Sequence, residues 1–227
     1  MAIAEKDENV TVSSKLNTFM EKNRKLIIGL FVGIIVAVAA FVVVEIVLSN
    51  AKTKNLAAID AISFELTDGS GSLEESELAA RRDEVLEKII PYTKKGGVAG
   101  VRANMLAAEI EYQKKNYEAA AEYWENAVDK DVKAYTASLA LYNAGVCYEA
   151  LNQLDDAEET YKLAADDEEF LLRSHALFSY GRVLEAKGKY KEAVEAYQEL
   201  NSKYPDDGWA NLAKTRIIEL KLEGKAE

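Results

Sequence analysis

The chain has little that could crosslink it and little that could break a helix. Cys147 is its one cysteine, so no intrachain disulfide can form. Pro91 and Pro205 are its two prolines, and aromatic residues make up 9% of the chain. Ala, Glu, Lys and Leu abound instead, which favours helix over strand. His175 is the one histidine, so a metal cluster with two imidazoles is excluded. Cationic excess is also lacking, since the formal net charge is -11. Binding to phosphate is driven by cationic side chains, so this balance argues against a nucleic-acid partner. In residues 1–48, Lys6, Lys15, Lys22, Arg24 and Lys25 offset Glu5, Asp7, Glu8, Glu21 and Glu45. The whole acidic excess therefore falls after residue 48, in a part suited to a soluble domain and a basic partner.

Signs of catalysis are equally sparse. The segment Gly96-Gly97-Val98-Ala99-Gly100 lacks the Lys-Ser/Thr ending and the preceding strand of a phosphate loop. A lone thiol in an apolar helix is most simply a small buried hydrophobe. A Cys147–His175 pair would need two helices to turn those side chains toward each other. No catalytic residue, cofactor or metal is expected.

One long apolar run is present. Leu26 to Val44 reads LIIGLFVGIIVAVAAFVVV, and Ile46, Val47 and Leu48 extend it past Glu45. A helix rises about 1.5 Å per residue and needs about 20 residues to cross a bilayer core. The run shows no polar face, unlike the core helix of a soluble protein. Lys15, Lys22, Arg24 and Lys25 precede it, whereas Lys52 and Lys54 alone follow closely. The positive-inside bias places residues 1–25 in the cytoplasm, residues 26–48 across the inner membrane, and the rest on the outer, periplasmic face. Cleavage after Ser49-Asn50-Ala51 is the rival reading, although the run is longer than the usual signal core. Gly29 and Gly33 form a GxxxG pair that would let two anchors pack closely as a homodimer.

Beyond the run, one phrase recurs. It reads YEAAAEYW from Tyr117, LDDAEETY from Leu154 and YKEAVEAY from Tyr190, at intervals of 37 and 36 residues. Each copy has a bulky residue first, Ala fourth and an aromatic eighth. Self-similarity at this period marks an α-solenoid of helical pairs, which binds along a concave surface. The all-α pattern gives pairs at 102–113 with 117–128, 138–150 with 154–165, and 174–186 with 189–200. One closing helix follows at 209–222. Residues 49–97 form a linker and a leading helix pair, with Pro91 and Gly96-Gly97 expected to end its second helix. Residues 98–227 form the repeat domain.

The second and third units resemble the tetratricopeptide repeat. Tyr148, Ala157, Tyr161 and Ala164 match in one unit, and Gly181, Gly188, Tyr190, Ala193, Tyr197 and Pro205 fall in register in the other. Unit one matches through Tyr117, Ala120, Trp124 and Ala127, but has Ala108 where Gly is usual and Glu111 where Tyr is usual. With its short tail and single anchor, the layout resembles the ancillary SecYEG translocon subunit family, whose members assist newly exported proteins. The ending YPDDGWANLAKTRIIEL from Tyr204 is also similar to the closing unit of the outer-membrane assembly lipoprotein and of the cell-division coordinator.

The resemblance implies that the first helices line the groove. Its inward positions hold Arg102, Met105, Glu109 and Tyr112, then Leu139, Tyr142, Val146 and Glu149, then His175, Phe178, Arg182 and Glu185. This mix suits an extended peptide or an amphipathic segment. Equally, half of these residues could pack against the closing helix. A carboxylate clamp is not implied, because Glu109 and Val146 stand where Asn is needed and Asn143 alone fits. Two functions stay open: a chaperone-like accessory of export beside the translocon, or a scaffold for an envelope complex in outer-membrane assembly or cell division.

Overall fold

A computed structural model describes residues 2–131 and 136–226, with side chains from Val12 onward. The described chain is helical apart from turns, and it forms two units, Met1–Lys54 and Asn55–Glu227.

The first unit holds α1 (Ala2–Lys22) and the start of α2 (Arg24–Thr67). The stretch read as a tail is thus helical, since residues 2–25 contain neither Gly nor Pro to interrupt it. At Asn23 the backbone ladder persists: its N–H donates to the Phe19 carbonyl at 3.0 Å and its carbonyl accepts from Ile27 at 2.9 Å. α2 is long and apolar enough to cross a membrane, and none of its most apolar stretch is buried within the chain. Leu26, Phe31, Ile35 and Phe41 all face outward. Gly29 and Gly33 have open space where a side chain would stand.

In the second unit the end of α2 buries Ile59 and Ile62 against Val85 and Ile89 of α3 (Glu75–Thr93). A capping box opens α3, with the Glu74 N–H donating to the Glu77 carboxylate at 3.1 Å. The helix runs through Pro91 to Thr93, where a stop was expected. A proline this close to a helix end removes one backbone bond with little helix left to disrupt. Gly97, also read as a breaker, opens the next helix with a φ of 60°, a left-handed value that glycine adopts without strain.

The three pairs follow: α4 (Gly97–Gln113) with α5 (Tyr117–Lys130), α6 (Ala137–Ala150) with α7 (Leu154–Asp166), and α8 (Arg173–Ala186) with α9 (Tyr190–Lys203). α10 (Gly208–Leu222) closes the stack. The recurring phrase explains the packing. Its fourth-position Ala120, Ala157 and Ala193 are fully buried, and so nearly are the aromatics Trp124, Tyr161 and Tyr197. Two glycines make room for the tyrosines. A Cβ on Gly145 would lie 2.8 Å from the Tyr161 ring, and one on Gly181 would lie 2.4 Å from the Tyr197 ring. Backbone and ring therefore touch directly, which holds each antiparallel pair close. Unit one carries Ala108 at that register, and it is buried without a gap.

The turns inside the pairs also repeat. Lys115, Asn152 and Gly188 adopt φ of 63°, 57° and 74°. Each is followed by an N–H that reaches back over the helix end: Asn116 to Glu111, Gln153 to Tyr148 and Lys189 to Leu184, at 2.8–2.9 Å. This left-handed cap satisfies carbonyls that the helix leaves open.

Candidate partner-binding cleft

The positions that the resemblance assigns to a groove lie on α4, α6 and α8. What happens there differs along the stack. On α4, a cleft of about 790 Å³ opens beside Arg102, Met105 and Glu109, with Ser63, Val98, Val101, Leu106 and Trp124 in its wall. Asp131 and Thr136 line its edge. A second hollow of about 430 Å³ continues toward α6. It is lined by Met105, Glu109, Tyr112, Trp124, Leu139, Asn143 and Val146. Met105, Glu109 and Trp124 border both hollows, so the two make one run across the first two pairs.

Charge in this run is uneven. Arg102 donates to the Asp60 carboxylate on α2 and is held there. Glu109 is exposed, and among the described residues it has no ion-pair partner. The remaining wall is mostly aliphatic or aromatic.

Farther along, the corresponding side chains are engaged by their neighbours. Tyr142 lies half-buried between the rings of Tyr161 at 5.5 Å and Phe170 at 6.4 Å. Glu149 accepts from the Tyr161 hydroxyl at 3.0 Å and from Arg182 at 2.7 Å. Glu185 repeats that arrangement one pair later, accepting from the Tyr197 hydroxyl at 2.6 Å and from Arg216 Nε at 3.1 Å. Burial first, then the neighbouring carboxylate, raises both phenol pKa values above the ordinary range, so both hydroxyls stay protonated and donate. His175 sits 4.5 Å from the Trp209 ring, and Phe178 sits 5.1 Å from it and 5.5 Å from Tyr197. α10 thus covers the inward face of α8.

Of the residues placed in the groove from sequence, Arg102, Met105, Glu109 and Val146 line the open run. Tyr142, Glu149, His175, Phe178 and Arg182 are engaged by neighbouring helices. Val98, Leu106 and Trp124 were not assigned to the groove. Trp124 carried a signal, because it alone among the eighth-position aromatics has no hydroxyl to tether.

Cys147 is fully buried among Ala108, Ala140 and Ala144, and burial pushes its thiol up to about 11. A thiol so protonated is a packing group rather than a nucleophile. His175 belongs to a different cluster, beside Trp209, so the pair considered above does not form.

Comparison with known proteins agrees with this architecture. Residues 105–170 and residues 174–217 each match the tetratricopeptide repeat family. The chain is also similar to a TPR repeat-containing protein of Treponema pallidum (strain Nichols). The two are 26% identical over 226 residues, a span covering 92% of this chain and 95% of the relative. Residues 105–170 and 174–217, which cover most of the three helix pairs and of α10, are thus similar to tetratricopeptide repeats, a repeat class whose domains bind protein or peptide partners.

Proposed function

We propose that this protein is a membrane-anchored receptor for peptide segments on the outer face of the inner membrane, acting as a chaperone-like accessory of protein export beside the translocon. One observation carries the reading: two hollows meet in an apolar-walled run across α4–α6, whereas Tyr142, His175 and Phe178 farther along pack against other rings. Such a surface suits unfolded or extended chain, whose apolar side chains need temporary cover. The apolar stretch of α2 and the basic residues before it support the anchored, outward-facing topology.

A scaffold for one envelope complex is the second reading. Gly29 and Gly33, free of neighbours, favour it by offering a close-packing face for a second anchor. A photo-crosslinker at Met105, in intact membranes, separates the two. A broad ladder of exported proteins supports the chaperone role. One stoichiometric band sinks it and favours the scaffold.

A further inference from the structure

The open run has an electrostatic pattern as well as an apolar wall. Two side chains of opposite sign project into it from α4, Arg102 and Glu109, and they differ in one respect. Arg102 is already matched by Asp60. Glu109 is exposed, borders both hollows, and has no cation beside it among the described residues. Above and below it the wall is apolar, with Val101 and Leu106 toward one end and Leu139 and Val146 toward the other. Trp124 borders both hollows with it.

We infer that the cleft selects extended segments in which a Lys or Arg side chain stands between apolar residues, the cation meeting Glu109 and the apolar neighbours filling the two hollows. This rests on the reading that the cleft receives peptide. The physical reason is asymmetry of cost. A neutral polar residue at the centre forgoes a charge-assisted bond, and an acidic one meets a like charge beside low-dielectric walls. The acidic balance of the whole chain, -11, adds repulsion of the same sign. Selection by one central carboxylate would let the cleft take many sequences while rejecting acidic ones.

The test uses the full chain in phosphatidylcholine nanodiscs and three fluorescent nine-residue peptides, apolar except for a central Lys, Gln or Glu. Empty nanodiscs provide the background. The Lys peptide should bind about tenfold more tightly than the Gln peptide, the usual reach of one charge-assisted bond, with the Glu peptide weakest. Glu109→Gln should erase the Lys preference, and Glu109→Lys should invert the order. Equal binding of all three peptides to native protein and variants would overturn the inference and leave the cleft as a peptide site. Absence of any peptide binding would overturn the underlying reading, and the inference with it. Circular dichroism confirms that each variant is folded.

Discussion

The joint between the first and second helix pairs and the joint between the second and third are built at the same register, yet they end in opposite states. In the later joint, Glu149 is tied by the Tyr161 hydroxyl of its own pair and by Arg182 of the next. The joint after it repeats this with Glu185, Tyr197 and Arg216. In the earlier joint the corresponding positions hold Tyr112, Trp124 and Val146. The carboxylate, the hydroxyl and the guanidinium are all missing, and a hollow of about 430 Å³ stands there instead. On the function proposed above, the comparison teaches that this solenoid makes its binding surface by omission. A polar strap of carboxylate, hydroxyl and guanidinium bridges the later joints, and Tyr112, Trp124 and Val146 leave a hollow at the first.

The largest effect should come from testing how tightly the closed half is packed. Gly181→Ala places a Cβ 2.4 Å from the Tyr197 ring, closer than real contacts allow. Overpacking of this kind costs about 1–3 kcal/mol. Ala108→Gly, the reverse change at the same register of the open half, should cost only about 1 kcal/mol through helix propensity. Thermal unfolding of both variants, followed by circular dichroism in nanodiscs, measures the difference. Equal losses would break the comparison.

Next in size is a transplant of the strap. Tyr112→Glu with Val146→Arg recreates at the first joint the pair that Glu149 and Arg182 form at the second. Closure should lower affinity for the apolar-flanked Lys peptide about tenfold, near 1.4 kcal/mol, with the fold retained. Each single variant should do less, because one unpaired charge does not bridge the cleft. Unchanged affinity in the double variant would show that the strap is not what closes the groove.

The closed half also depends on how α10 is seated. Asp207 caps that helix, accepting from the Trp209 N–H at 2.8 Å. That backbone bond, then the Ser174 hydroxyl, lowers the Asp207 pKa from its ordinary value. A carboxylate depressed in the folded state contributes stability that is fully present above the unfolded pKa of about 3.9 and is lost as pH falls through the lower folded value. Asp207→Ala should cost about 1 kcal/mol at neutral pH, and Asp207→Asn less, because Asn still caps. Both should flatten the acid limb of the stability profile relative to the native chain. A native-like acid limb in Asp207→Ala would show that other carboxylates govern it.

The helices of the solenoid were legible from residue spacing to within a few residues, because alanine and aromatic positions recur wherever pairs must touch. α1 and the run through Pro91 were not, since a helix can persist wherever nothing forbids it. The groove was legible by halves. Register shows which way His175 and Phe178 turn relative to their own pair, but not that Trp209 of a later helix covers them. Likewise the missing hydroxyl of Trp124 is visible in the sequence. Its meaning depends on the Tyr161–Glu149 bond, which joins residues twelve apart through a fold rather than through a pattern.

The smallest effect concerns a strained turn in the open half. Lys115, Asn152 and Gly188 share one left-handed position, with φ of 63°, 57° and 74°. Gly occupies it without penalty and Asn tolerates it, whereas Lys brings a Cβ against the backbone. Lys115→Gly should therefore stabilise the chain by about 0.5–1 kcal/mol, the strain relieved less the extra freedom of the unfolded glycine. Gly188→Lys should destabilise by a similar amount. The turn lies at the far end of α4 from Arg102 and does not line either hollow, so Lys115→Gly should leave peptide affinity unchanged. If affinity falls as stability rises, the open half needs its strain to stay receptive, and the contrast with the strapped half is one of flexibility as well as of side chains.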